Sequence, residues 1–267
     1  MQGFFIAGQR LPIKTKKENP TMKTETKFTH HPANSRGHAN HGWLNSYHTF
    51  SFAGYHHPQR MHFGALRVLN DDTVAAGMGF SRHPHDNMEI MSIPTYGDLK
   101  HKDSMGNETI IRQGDVQIMS AGTGVSHSEM NANKDKEVRF FQIWILPRER
   151  NIQPAYGQIT LDTNRLRNNL LQVVGPYKNE EGLWINQNAW FHLGHLDDGF
   201  KTIYPMKDKS HGLYVFVIEG SATVAGDADS NQHLQRRDGL GIENTGEVSI
   251  MANGETQLLL MEVPMTL

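Results

Sequence analysis

Apolar and polar positions alternate in short runs along this chain and seldom follow the 3.6-residue period of a helix. Residues 65–69, 89–94, 108–111, 116–119 and 138–146 are dense in β-branched and aromatic side chains. The last run, V-R-F-F-Q-I-W-I-L, closes at Pro147. Turn signals separate the runs: Asn70-Asp71-Asp72, Tyr96-Gly97-Asp98, Met105-Gly106-Asn107 and Gln113-Gly114-Asp115. Short strands with turns at regular intervals predict an all-β sandwich or barrel.

A second β-rich block starts near Leu183 and repeats this logic. Residues 214–218 followed by Glu219-Gly220 parallel residues 90–95 followed by Tyr96-Gly97. Arg237-Asp238-Gly239-Leu240 likewise parallels Arg112-Gln113-Gly114-Asp115. The interval between the two glycines is 17 residues in one copy (97 to 114) and 19 in the other (220 to 239). The pattern predicts an internal duplication, two similar barrels in tandem. Residues 147–169 are the expected connector, with a short helical stretch around 162–171. The expected division is an N-terminal domain over 22–160 and a C-terminal domain over 161–267.

Composition narrows the setting. The 267 residues carry a net charge of −2 with both signs interspersed, so no bulk attraction to nucleic acid is expected. The absence of cysteine excludes disulfides, zinc-thiolate sites and a thiol nucleophile. No apolar run approaches the ~20 residues of a membrane helix. Phe4, Phe5, Ile6 and Ala7 are too few for a secretory core, and Lys14, Lys16 and Lys17 follow them where a signal peptide would put charge first. Residues 1–21 read as a poorly ordered extension, Met22 as a functional start, and the protein as cytoplasmic.

Two short motifs carry the chemistry: His83-Pro84-His85 and His127-Ser128-Glu129. Residues i and i+2 of a strand share one face, so adjacent strands would bring His83, His85, His127 and Glu129 to one point. With sixteen histidines in the chain, chance neighbours arise, and His30-His31 and His56-His57 read as such. A lone H-x-H is more often a structural pair than a metal site; a second pair at matching spacing reverses that balance. Imidazoles with a carboxylate suit iron, nickel, copper or manganese better than magnesium or calcium. In the second copy Ser210-His211-Gly212 takes the place of the H-x-H and no H-x-E follows Gly239, so that barrel is expected to be metal-free and filled by side chains. Neither His192, His195 nor His211 is expected to hold metal.

Other features have plainer readings. Ala121-Gly122-Thr123-Gly124 lacks the lysine of a phosphate loop and reads as a tight turn. Trp43, His48, Phe50 and Phe52 would either line a cavity mouth or pack an ordinary core. His101 and Asp103 read as a surface turn at a hairpin tip.

Several motifs resemble the pirin family. They are R-G-H-A-N-H-G-W-L (36–44), H-T-F-S-F (48–52), H-P-H (83–85), H-K-D-S-M-G-N (101–107), G-D-V-Q-I-M-S-A-G-T-G (114–124) and H-S-E-M (127–130). The resemblance runs from about Arg36 to Pro147 and is looser beyond. It implies a bicupin, two jelly-roll-like cupin β-barrels with short helical connectors and metal in the first. It places the family's ligands on His83, His85, His127 and Glu129, the four that spacing selects. Gly114, His127 and Asn131 meet the second cupin pattern. Many cupins take their carboxylate from the first motif, where Glu89 stands, four residues from His85; the pirin pattern takes Glu129 instead.

More narrowly, the chain resembles bacterial pirin-like proteins described as quercetin 2,3-dioxygenases. That implies one divalent transition metal, Fe(II) first, with Ni, Cu, Co, Mn or Zn as alternatives. It also implies a small aromatic substrate such as quercetin, O2, ring cleavage with release of carbon monoxide, and Glu129 as proton acceptor. Two other functions stay open: a metal- and redox-responsive regulatory protein with a protein partner, and a structural metal without catalysis.

Overall fold

The computed structural model describes residues 25–226 and 230–267; the extension expected over 1–21 lies outside them. Strand follows strand in two matching sets. The first comprises β1 (Lys27–His31), β2 (Gly37–Asn40), β3 (Leu44–His48), β4 (Leu66–Val74), β5 (Gly79–His85), β6 (Glu89–Tyr96), β7 (Leu99–Asp103), β8 (Glu108–Ile111), β9 (Asp115–Ser120), β10 (Val125–Asn131) and β11 (Val138–Ile145). The second comprises β12 (Ala155–Thr160), β13 (Leu170–Gly175), β14 (Leu183–Trp184), β15 (Trp190–Leu196), β16 (Lys201–Pro205), β17 (His211–Glu219), β18 (Ala222–Ala225), β19 (Gln232–Leu234), β20 (Gly239–Glu243), β21 (Glu247–Ala252) and β22 (Thr256–Pro264).

Sheet order makes the duplication explicit. One large sheet runs β12-β9-β6-β11-β4-β3-β2 and the other β1-β20-β17-β22-β15-β13-β14. The small sheets run β5-β10-β7-β8 and β16-β21-β18-β19. Each set thus forms a two-sheet, jelly-roll-like barrel, as the alternating pattern requires. The turns sit where glycine permits a left-handed backbone, at Gly97 (φ 72°) and Gly114 (φ 90°) in one copy and at Gly220 (φ 80°) in the other.

Each repeat lends its first strand to the other. β1 pairs with β20 from Lys27↔Glu243 to His31↔Gly239. β12 pairs with β9 from Ala155↔Ser120 to Thr160↔Asp115. Residues 27–31, counted by sequence with the first domain, are therefore hydrogen-bonded into the second barrel's sheet. His31 and the Tyr214 hydroxyl, 2.7 Å apart and both buried, tie that strand down. The connector expected over 147–169 contains all of β12, and its helix is a single 3-10 turn, Thr163–Leu166, capped by Asp162. It stops there because Leu170 begins β13.

The two large sheets pack face to face. Leu66, Leu69, Met91, Phe141 and Ile143 of one meet Phe191, Phe216, Leu259 and Met261 of the other in a single apolar layer. Strands buried on both faces read as continuous apolar runs, which explains V-R-F-F-Q-I-W-I-L. The second barrel's interior is filled by Leu213, Val215, Val217, Val248, Ile250, Leu258 and Leu260. Ser210-His211-Gly212 is not the counterpart of the H-x-H, however. By sheet order β5 corresponds to β16, whereas His211 opens β17, the counterpart of β6.

Asn70-Asp71-Asp72, read from sequence as a turn, lies inside β4. Asn70 and Asp72 are buried and Asp71 is half-buried, the alternation of a strand with a polar interior on one side. Composition alone suggests a turn; the first barrel's interior makes those polar side chains inward-facing instead.

Candidate metal centre

β5 and β10 are hydrogen-bonded neighbours with His83 opposite His127. The i, i+2 spacing puts His85 on the same inner face. The ring centroids are 4.8 Å apart for His83–His85, 4.5 Å for His83–His127 and 4.9 Å for His85–His127. One ring nitrogen from each lies within 4.8 Å of the others, and among the described residues no other group of three or more metal-capable side chains converges in this way. A bulge between His127 and Glu129 sets Ser81 and Arg82 against Ser128, so Phe80 also turns inward.

The nitrogens suit ligation. His127 is buried, and neither of its ring nitrogens has a hydrogen-bond partner, a costly condition that a coordinated ion relieves. Burial, reinforced by the neighbouring imidazoles, lowers His127 to about 3 and His85 to about 4. Both are therefore neutral near pH 7, the form that binds metal. His83 Nδ1 lies 2.8 Å from the Ser81 carbonyl; donating there leaves Nε2 with its lone pair for an ion. Three imidazoles with this geometry fit a divalent transition metal.

Glu129 points to the same interior, but its oxygens are outside the converging group. Ser92 Oγ donates to Glu129 Oε1 at 2.7 Å and Gln142 Nε2 to Oε2 at 2.9 Å. Asn131 Nδ2 donates to the Val74 and Lys136 carbonyls, closing the strand end.

Glu89 does not share a face with His85. A turn through Asn87 (φ 46°) breaks the strand parity between them. The Glu89 carboxylate lies at the seam between barrels, accepting from Ser120 Oγ at 2.6 Å and the Asn186 backbone N–H at 3.2 Å. Burial raises this carboxyl to about 7, opposed by both hydrogen bonds. A raised carboxyl stabilises the fold fully below its ordinary pKa near 4.5, and that contribution is lost as pH rises from 4.5 toward 7. Glu89→Gln is therefore expected to gain on wild type by up to ~3 kcal/mol between pH 5 and pH 8. Urea unfolding at both pH values measures this; an offset unchanged with pH would refute it.

The surface-turn reading of His101 and Asp103 is overturned. Both are buried on β7, with His101 Nε2 donating to Asp103 Oδ2 at 3.1 Å. The His101 ring lies 5.3 Å from that of His127. The turn begins just after Asp103, whose carboxylate accepts from the Met105 and Asn107 backbone N–H groups. The Gly122 (φ 48°) and Gly124 (φ 134°) positions bear out a tight turn leading into β10.

A cavity of about 280 Å³ opens onto His83 and His85, walled by Leu44, Phe52, Phe80 and Trp144. Trp144 stands edge-on to both His85 (5.0 Å) and Phe52 (5.4 Å). Of the aromatic segment considered from sequence, His48 and Phe52 line this cavity, whereas Phe50 packs in the inter-barrel core. Trp43 packs edge-on against Phe80 at 5.4 Å. Sequence reasoning missed Ser46, Asp72, Gln142 and Trp144 as lining residues; only Gln142, a polar side chain within the apolar run 138–146, carried a signal.

Two cupin barrels with a histidine triad in the first define the class, and comparison with known proteins agrees. Residues 29–145 match the Pirin family and residues 172–263 the quercetinase C-terminal cupin domain. The chain is 39% identical over 232 residues to a quercetin 2,3-dioxygenase of Escherichia coli K12, covering 87% of this chain and 96% of that one. It is 35% identical over 233 residues to a pirin-like protein of Caulobacter vibrioides, covering 86% and 97%. The crystal structure of YhhW from E. coli superposes with a TM-score of 0.84 at 37% identity, covering 89% of this chain and 98% of that one. A nickel(II) complex of the same bacterial pirin gives 0.82 at 36% identity, covering 89% and 99%. The chain belongs to the pirin family.

Proposed function

We propose that this protein is a metal-dependent dioxygenase that cleaves a flavonol such as quercetin with O2, releasing carbon monoxide. The observation that carries this reading is the cavity itself, an aromatic-walled slot that ends on His83 and His85 of the triad. The E. coli relative's description as a quercetin 2,3-dioxygenase and the nickel(II) complex of YhhW support it.

His83, His85 and His127 would hold the ion, with Glu129 as the fourth ligand. The hydrogen bonds from Ser92 and Gln142 to Glu129 match the outer partners that ligating carboxylates keep. When bound, the ion supplies Lewis acidity toward a substrate oxygen; Fe(II) is the proposed ion, and nickel is a strong second. Phe52 and Trp144 would flank a planar ring and keep water from its face. Glu129 would take the proton of the reacting hydroxyl.

Loaded in turn with iron, nickel, copper, cobalt and manganese, the protein is expected to deplete quercetin absorbance in air and not under anaerobic conditions. Glu129→Gln nearly keeps size but loses basicity, and should lower turnover by about 10²-fold or more with metal retained. No oxygen-dependent loss of quercetin with any of the five ions would overturn the dioxygenase reading and favour the regulatory one.

A further inference from the structure

The triad occupies one side of the cavity; the other side is polar in a way the fold does not demand. Ser46 and His48 come from β3, Asn70 and Asp72 from β4, and the register pairs Ser46 with Asp72 and His48 with Asn70. All four side chains are buried, between 1% and 3% exposed. Ser46 Oγ donates to Asp72 Oδ1, and His48 Nδ1 donates to Asn70 Oδ1 at 2.9 Å. Ser46, His48 and Asp72 line the same cavity as His83 and His85. Burying a carboxyl and its retinue opposes folding unless something else is gained.

The duplication supplies an internal control. The counterpart of β4 in the second barrel is β15, whose sequence W-F-H-L-G-H-L holds no carboxylate and no side-chain amide. A cupin barrel thus closes without an acid on this strand. Asn70 and Asp72 appear only in the copy that carries the triad. Burial also raises Asp72 to about 7, with Ser46 opposing and Glu129 adding to the rise, so the carboxyl is poised to donate or to accept a hydrogen bond.

We propose that Asp72, positioned by Ser46, is the specificity-determining residue of this cavity, recognising ring hydroxyls of the substrate other than the one presented to the metal. His48, held from behind by Asn70, completes this wall. The inference rests on the flavonol reading and narrows it. The substrate class is polyhydroxylated planar aromatics, and a ring bearing only the reacting hydroxyl is a poor ligand. Phe52 and Trp144 contribute contact area that does not distinguish the two.

The test is equilibrium binding, read under anaerobic conditions by flavonol absorbance on nickel-loaded protein, for quercetin and for 3-hydroxyflavone, which keeps the reacting hydroxyl and lacks the others. Wild type is expected to bind quercetin more tightly by about tenfold or more, the scale of a hydrogen bond to a charged group. In Asp72→Asn that ratio should fall by at least about fivefold, and in Ser46→Ala by a smaller factor, with metal content and circular dichroism unchanged. If Asp72→Asn does not fold, Ser46→Ala alone decides, because removing one hydroxyl leaves the carboxyl in place but unheld. An unchanged ratio in the folded variants overturns the assignment even where quercetin is turned over. Binding with the expected ratios but no aerobic turnover with any of the five ions would sustain the recognition wall and overturn the dioxygenase reading. Failure of the wild type to bind either compound would overturn both.

Discussion

Replacing His83 and His127 together with alanine is expected to leave the purified protein with near-background metal. The two residues are the facing members of the β5–β10 pair, with ring centroids 4.5 Å apart. Their loss leaves His85 as the sole imidazole of the group, too few donors for a transition ion at neutral pH. The fold should persist, because both residues lie in the small sheet, away from the apolar layer between the barrels. Inductively coupled plasma analysis of protein grown with iron and nickel measures the loss. Full occupancy in the double variant would sink the assignment. His192→Ala and His211→Ala, on the second barrel, should retain wild-type metal.

Phe141→Ala is expected to destabilise the whole molecule by about 3–5 kcal/mol, the range for truncating a fully buried aromatic. Phe141 is buried at the seam, edge-on to Phe216 of the second barrel at 5.4 Å, with the Arg237 guanidinium 5.0 Å from its ring centre. One side chain therefore belongs to both barrels' packing. Guanidinium unfolding followed by tryptophan fluorescence and by far-ultraviolet circular dichroism should shift together to lower denaturant. A loss below about 1 kcal/mol would show that the seam collapses around the gap, contrary to a close-packed layer. The reciprocal strands β1 and β12 give a second reason for joint unfolding, since neither sheet is complete without the other repeat.

Much of the site was legible because strand geometry is local. An H-x-H reads as two side chains on one face wherever the strand is unbroken, and β5 is unbroken from His83 to His85. Glu89 shows where that rule ends. Four residues from His85 predicts a shared face only without an intervening turn, and Asn87 supplies one. Glu129 illustrates a different limit. Parity puts it on the inner face, but only neighbouring strands decide that Ser92 and Gln142 hold its oxygens. His101 and the Asn70–Asp72 run were misread because polarity was taken for exposure. That inference holds for a barrel filled with apolar side chains and fails for one with a polar centre.

The sequence by itself determined the all-β class, the duplication, the glycine-bearing turns and the histidines of the triad. Each follows from alternation, glycine placement or i, i+2 spacing, properties of a few consecutive residues. Only the tertiary structure decided that β1 joins the second barrel's sheet, that Glu89 serves the seam, and that Asp72 and His101 face inward. Those outcomes depend on which distant strands meet, and a strand's edge and environment are set by partners many residues away.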